Sequence, residues 1–505
     1  MKNGRIILKA TLTNLSPVGI GSGRDDFSDR DIVTTLYKID QEGQILSPDN
    51  ILSNSLAKEL PFIPATSFLG KLNTLLDTKD SKVLKIWGVS NEKGDNGNAS
   101  YIDCSDILIT ELPKWAKENN CKVTEVRDGI RIDSRKGVVI NGAKFDYELL
   151  GSGVNFGLTM IFRVESEKEK DDKIIGGGEI IHTEYQTVLD LASSIAHIIE
   201  NGFDMGAKSN VGFGRMEGNA ELFELNFENK EDFARWIEDD LEHNIIKAST
   251  PKYVKEQAPI FQIDAKFKIK NSLIIRSYSN DPKRPDSTHL KSGGENILSG
   301  PSIKGALSSR AERILNTLLH NQEDRVGVIL TALFGDVEKE KDDRQKVKRN
   351  GYKVPSRVFV DEVVIEDTKE ELQTRIQIDR FTGGTVDGAL IEEVPLFPKT
   401  EEGVQIKNFK LRVKDATPLD KGLILLLLKD LWTSDLPIGG EKSIGRGVLE
   451  GVSAIVSDGE DVYNFPDDFK CKNKTDKLQE YVNSLTVPDS YNYYENRVKK
   501  YIKCK

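Results

Sequence analysis

The chain reads as an α+β protein built from two tandem ferredoxin-like domains, each carrying inserted loops and a β-hairpin. Two observations predict this. Four short Gly-rich signatures recur in one order, 233 to 247 residues apart. Within each copy, the hydrophobic periods run strand, helix, strand, strand, helix, strand. Composition adds that each copy can fill a core of its own. The 505 residues are 38% hydrophobic and 30% charged, enough for two to four ordinary globular domains.

The repeat is read signature by signature. "PATSFLGKL", with Ser67 and Gly70, returns as "SGPSIKGAL", with Ser302 and Gly305. "IWG" at Trp87 and Gly88 answers "LFG" at Phe334 and Gly335. "IDSRKGVVINGA" (132–143) answers "IDRFTGGTVDGA" (378–389) with five of twelve positions identical, against fewer than one expected from background usage of about 5–7% per residue type. "SNVGFGRMEG" (209–218) answers "KSIGRGVLEG" (442–451), with Gly212 and Gly214 in register with Gly445 and Gly447. A duplicated module is the reading that explains all four.

Each copy opens on an alternating strand, "RIILKATLTNL" or "FQIDAKFKIKNSLII". A polar, Asp-containing loop then leads to the Ser/Gly signature and a helix with apolar residues at i, i+3 and i+4. A strand follows ("DILIT"; "SRVFVDEVVIED"), and then the I-D-x-x-x-G segment opens another strand pair. A last helix ("TVLDLASSIAHIIENG"; "DKGLILLLLKDLWTS") delivers the chain to the Gly-rich loop and a closing strand. This split order is the ferredoxin-like arrangement, also the skeleton of RNA-recognition motifs. The expected domains are 1–228, a connector at 229–258, a second module at 259–456, and a helical tail at 457–505 whose "SYNYYENRVKKYIK" is rich in Tyr.

Several function classes are excluded. No run reaches the ~18–20 apolar residues that a membrane span needs, and the N-terminus lacks the long apolar stretch of a secretory signal. Four cysteines (Cys104, Cys121, Cys471, Cys504) show no C-x-x-C spacing, so the sequence predicts neither zinc site nor disulfide framework, and a cytoplasmic setting. There is no Walker motif for nucleotide hydrolysis. The five histidines (His182, His197, His243, His289, His320) form neither H-E-x-x-H nor a triad-like grouping. Net charge is −10, yet acid concentrates at 228–242 and 457–468 while basic residues gather beside the Gly-rich signatures, which leaves room for one local basic groove.

Together these signatures resemble the RAMP superfamily (repeat-associated mysterious proteins) of CRISPR systems. The likeness includes a Gly-x-Gly turn after the first strand, Gly21 and Gly23, present in the first copy only. Specifically, both halves are similar to the backbone subunit of type III effector complexes, and the pair resembles tandem backbone subunits. The likeness covers about 1–228 and 259–456. It implies a cytoplasmic subunit that binds CRISPR RNA and single-stranded target RNA. Its partners would be a large signalling subunit, small subunits and other RAMP modules; no membrane is involved.

The chemistry of the signatures agrees with RNA. Backbone N–H groups in Gly-rich turns can cradle phosphate, and a Ser at a helix start can cap it and present further donors. Candidate RNA contacts are therefore Gly21, Gly23, Ser67, Gly70, Lys208, Gly212, Gly214 and Arg215 in the first module. In the second they are Ser302, Lys304, Gly305, Arg310, Lys442, Gly445, Arg446 and Gly447; Leu69 stands where the second copy has Lys304. Segments 131–150 and 377–397 resemble the family's thumb hairpin. By that resemblance it splays the guide–target duplex about every sixth nucleotide, with Arg135, Lys136, Arg380 and Phe381 as its contacts. The basic half of 338–353 is a further, weaker candidate.

In catalytic members of the family, an Asp in the loop after the first strand supports metal-dependent RNA cleavage. The matching residues here are Asp31, with Asp25, Asp26 and Asp29 as runners-up, and Asp286, with Asp281 as fallback; His289 stands three residues on. One carboxylate suffices because RNA carries its own nucleophile, the 2′-hydroxyl, and positioning supplies much of the acceleration. The implied cofactor is a divalent cation, Mg or Mn, of unknown ligands. Two alternatives stay open: a non-catalytic RNA-binding scaffold, and a metal-independent guide-processing endoribonuclease using a His acid and base.

Overall fold

Alternation makes the first strand of each copy two-faced, and the two faces are covered differently. In the computed structural model, strand Asn3–Asn14 turns Ile6, Leu8, Ala10 and Leu12 into the main core of the first unit. Ile7 points the other way and packs with Phe223, Leu225 and Leu241. The described residues are 3–21, 32–40, 42–46, 56–88, 99–133, 138–165, 184–256, 258–278, 283–320, 322–337, 340–341, 347–348, 353–400, 402–470, 475–486 and 491–502.

The chain folds as two compact units. The first is 1–126, 146–207 and 214–256; the second is 127–145, 208–213 and 257–505. In the first, strands Arg215–Asn226, Asn3–Asn14, Asn155–Glu165 and Ile102–Cys104 lie side by side. All three pairings are antiparallel. Numbered by order within the copy, that is 4-1-3-2, the ferredoxin-like order. Helix Tyr185–Glu200 packs across this sheet through Val188, Leu191, Ala192, Ile195 and Ile199. The second unit repeats the plan: Leu449–Asp458, Ile260–Ile269, Ile406–Lys414 and Val358–Val360, again 4-1-3-2 and antiparallel. Helix Pro418–Trp432 serves there as the covering helix, started by a Thr417/Asp420 capping box with Pro418 in its first turn.

Two flanking stretches belong to these units. Of the expected connector, residues up to 256 are in the first unit. Strand Ile245–Ile246 extends its sheet beyond Arg215–Asn226. The connector's Lys252 bonds Asp190 at 2.6 Å, and Ser249 bonds the same carboxylate at 2.7 Å. In the second unit, helix Thr475–Asn483 packs along Pro418–Trp432, and helix Tyr491–Ile502 along Glu323–Phe334. The hairpin of the second copy, Gln373–Ile378 with Thr385–Val394, is the edge of a four-stranded sheet that also holds Arg276–Tyr278 and Ser287–His289. In the first copy the hairpin is Thr124–Ile132 with Val139–Leu150.

Candidate nucleic-acid interface

The Gly-rich closing loops have one conformation in both copies. Lys208 takes φ 60°, ψ 30°, residues Ser209–Val211 make one 3-10 turn, and Gly212 takes φ 86°. Glu441 takes φ 54°, ψ 37°, followed by Lys442–Ile444 and by Gly445 at φ 86°. Gly214 and Gly447 then take φ 82° and 75°. Each donates its N–H to the loop after the first strand, Gly214 to Pro17 O (2.8 Å) and Gly447 to Ser272 O (2.7 Å). A Cβ on either would lie 1.7 or 1.9 Å from the carbonyl oxygen of Met205 or Ile438. Close backbone approach therefore requires these glycines. Their amides are spent inside the fold and do not form the open phosphate cradle that the sequence predicts. Those of Gly212 and Gly445 close their own turns on Ser209 O and Lys442 O.

The Ser/Gly signatures open helices Ala65–Leu75 and Gly300–Leu318. Neither Ser67 nor Ser302 caps its helix: each stands at the third helical position. Ala65 N–H is instead capped by Asp106 Oδ1 at 2.8 Å, and Ser302 Oγ meets Ser299 Oγ at 2.9 Å. Gly70 and Gly305 are a different matter. Both are mid-helix and exposed, and a Cβ on either would meet no atom within 4 Å. Glycine inside a helix costs about 1 kcal/mol relative to alanine, and nothing in this fold requires it there. Gly327 is equally open but has no glycine at its counterpart, so the recurrence, not the openness, is informative.

Asp286 is exposed, and its Oδ2 accepts the N–H of Glu392 at 2.9 Å, tying the loop to the hairpin strand. His289, three residues on, cannot assist it. Its ring is 2% exposed, Nε2–H donates to Ile297 O (2.8 Å) and Nδ1 accepts from Ile275 N–H (3.2 Å). Burial pushes its pKa down to about 4. Asp31, Asp25, Asp26, Asp29, Gly23, Asp281, Arg135 and Lys136 lie outside the described residues. Among the described residues no three or more His, Cys, Asp or Glu side chains converge as a metal cage.

The two hairpins share a device at their tips. Asp133 N–H donates to Val138 O, and Asp379 N–H to Gly384 O, both at 2.8 Å and 246 residues apart. Asp379 Oδ1 also accepts from Phe381 N–H (2.7 Å) and Thr382 N–H (2.9 Å), which holds its carboxyl below the usual range. This Asx turn leaves Arg380 exposed and Phe381 fully exposed. Both hairpins expose β-branched residues, among them Ile130, Ile132 and Val139 in one and Ile376 and Ile378 in the other.

A family model for the RAMP superfamily matches residues 11–217 and 266–450. The chain belongs to the RAMP superfamily. A search of curated proteins found no match. Membership supports a CRISPR-associated, RNA-binding role for the two modules, and some RAMP proteins are RNA endonucleases. No helix among the described residues is long and apolar enough to cross a membrane.

Within the RAMP modules the predicted cations separate into three groups. Lys304 is buried; its ammonium donates to Ser356 Oγ (2.7 Å) and Val358 O (3.1 Å), and burial pushes its pKa down to about 7. Arg446 is 3% exposed, held by Glu441 Oε2 and Gln373 Oε1, each at 2.6 Å. These two are interior residues, not surface phosphate ligands. Arg310 (2.6 Å to Asp430) and Arg215 (Asn201 O at 3.0 Å, Asp204 at 3.8 Å) are paired and part-exposed. Lys208 stands 4.8 Å from the Phe145 ring centroid, while Lys442 and Arg380 are exposed.

Three residues went unread in the sequence. Arg127 is buried in the second unit, bidentate to Glu362 at 2.6 and 3.1 Å. The other two are Arg276, which occupies the place of Gly21, and Tyr278, two residues after it. The proof is hydrogen bonding: Ala207 N–H donates to Gly19 O and Gly440 N–H to Ile274 O, both at 2.9 Å, so the offset here is 255. Gly21 pairs with Ile32, and Arg276 with His289. Three residues before His289 stands Asp286, and in the sequence three before Ile32 stands Asp29.

Proposed function

We propose that this RAMP protein is a tandem backbone subunit of a type III CRISPR ribonucleoprotein. It binds CRISPR RNA along its two modules and cleaves guide-paired target RNA. Gly70 and Gly305 carry the reading. Two equivalent, exposed, mid-helix glycines, unneeded by the fold, suit a polynucleotide backbone that approaches both helices closely. The fully exposed Phe381, on a hairpin tip held by Asp379, suits insertion between bases.

For cleavage, the 2′-hydroxyl of a splayed target nucleotide attacks the adjacent phosphate, leaving a 2′,3′-cyclic phosphate and a 5′-hydroxyl. Asp286 and its first-module counterpart, Asp29 or Asp31, would hold a divalent cation or a water there, which would stabilise the developing charge. A lone carboxylate fits Mg²⁺, which keeps several waters and takes its remaining ligands from substrate phosphates. Within this chain Asp286 orients through Oδ1, since Oδ2 is engaged by Glu392 N–H. That same engagement favours the second reading, a scaffold in which Asp286 only anchors the hairpin.

The experiment is to map target fragments from the assembled complex with Mg²⁺, using Asp286→Asn, Asp29→Asn and Asp31→Asn singly. Loss of one fragment in Asp286→Asn and of another in a first-module variant supports catalysis. Identical fragments from all three would establish the scaffold. A target with deoxyribose at the cut sites should bind and stay intact.

A further inference from the structure

Five charged side chains meet in the second unit where the Asp286 loop, the hairpin base and the Gly-rich loop come together. Arg276 donates to Glu393 Oε1 at 2.6 Å and lies 3.4 Å from Glu441 Oε1. Arg375 is bidentate to Glu441, at 2.5 and 3.1 Å, and 3.9 Å from Glu393 Oε2. Arg446 closes the group from below through Glu441 Oε2. Ser287, the residue after Asp286, adds its Oγ to Glu393 Oε1 at 3.2 Å.

The group is polarised. Its carboxylate side chains are inside, 2% exposed for Glu393 and 13% for Glu441, while the side chains of Arg276 and Arg375 are each 35% exposed. Three guanidinium groups face two carboxylates, so one positive charge is left over. Among the described residues, two buried atoms, Glu393 Oε2 and Arg446 Nη1, have no hydrogen-bond partner, so the pairs are not closed on one another. An anion arriving from solvent meets cations first. Guanidinium is weakly hydrated and forked, which suits it to trade a carboxylate for a phosphodiester.

Tyr278 completes the site. It lies two residues from Arg276 on one strand, so both side chains share a face, and it pairs across to Ser287. Its ring is half exposed, with Lys144 Nζ 6.0 Å from the centroid. An exposed tyrosine beside two outward guanidinium groups combines a stacking platform with phosphate donors, the pairing that single-stranded nucleic acid needs.

We infer that Arg276, Arg375 and Tyr278 form an RNA grip next to Asp286, in which the guanidinium groups bind a phosphodiester and the ring stacks on a base. Glu441 and Glu393 hold the grip's geometry and compete with phosphate. The inference rests on the RNA-binding reading above and adds a cation that the first module does not carry at the equivalent position, where Gly21 stands.

The test is fluorescence anisotropy of the RNA-stripped full chain with a labelled single-stranded RNA, at low and at physiological salt. Arg276→Ala and Arg375→Ala should each weaken binding about tenfold. Each should also make the log–log salt slope shallower by about 0.7, one single-strand phosphate contact. Tyr278→Ala should weaken binding about tenfold without changing that slope. Glu441→Gln should do the opposite, tightening binding and steepening the slope, which a purely structural clamp cannot do. If Arg276→Ala fails to fold, Arg276→Lys and Glu441→Gln carry the test. Wild-type affinity and slope in all variants, with RNA bound, would overturn the grip and leave the RNA reading standing. A wild-type chain that binds no RNA would overturn both.

Discussion

A cation's chemical type says little about where its charge sits, and Lys304, Arg446 and His289 show why. Each follows or precedes a glycine-rich or Asp-containing signature, yet each is turned inward in the folded unit. Lys304 is the plainest case: its ammonium reaches Ser356 and Val358, more than fifty residues away. Lys304→Met should therefore leave RNA affinity and salt slope within twofold of wild type in the anisotropy assay, whereas a surface phosphate ligand would show the loss of a contact. His289 gives a pH signature. Its folded pKa, about 4, is below the unfolded value of about 6.5. Between those limits the unfolded chain binds a proton that the folded one does not, so stability falls as pH drops from about 6.5 to about 4. Below that the loss stops. The shift is worth about 3 kcal/mol, and urea titrations across this range should show it in wild type and show it flattened in His289→Gln.

At the level of single elements, the duplicated helices offer the sharpest contrast between stability and function. Gly70→Ala and Gly305→Ala add a Cβ to open space on helices Ala65–Leu75 and Gly300–Leu318. Each should raise unfolding free energy by about 0.5–1 kcal/mol while weakening RNA binding. Greater stability with undiminished affinity would remove these glycines from the interface. The closing loops behave in the reverse sense: Gly214→Ala or Gly447→Ala pushes a Cβ to within 2 Å of a carbonyl oxygen and should destabilise the module outright. Both sets of glycines look alike as letters. The helix glycines are free of the fold and the loop glycines are demanded by it, a distinction that depends on what lies opposite each one in space. The recurring Asp of the hairpins was legible as a motif in the same way, but its purpose, an Asx turn that presents Phe381, needed the backbone.

For the whole molecule, the tail is the part whose purpose its sequence hid most completely. Tyr494 is buried, its hydroxyl shared between Thr417 (2.6 Å) and Asp420 (2.9 Å), and Asp420 also binds the buried Arg357 at 2.6 Å. The Tyr-rich helix thus closes a polar network at the start of the covering helix. Tyr494→Phe should lower the unfolding free energy of the second unit by about 2 kcal/mol, measured by chemical denaturation, since the hydroxyl serves an ionised carboxylate. An unchanged midpoint would show the tail to be merely laid on the surface. By itself, the sequence determined the duplication, the strand, helix, strand, strand, helix, strand order of each copy, and the superfamily. Hydrophobic period and glycine spacing are local properties that every copy must write out in its own letters. Only the tertiary structure decided which cations face solvent, and that Arg276 stands where the first copy has Gly21. The inserted loops differ in length, so the offset between copies falls from 255 to 235 across them. Equivalence there is set by hydrogen bonds between residues distant in the chain, and no counting along it can recover them.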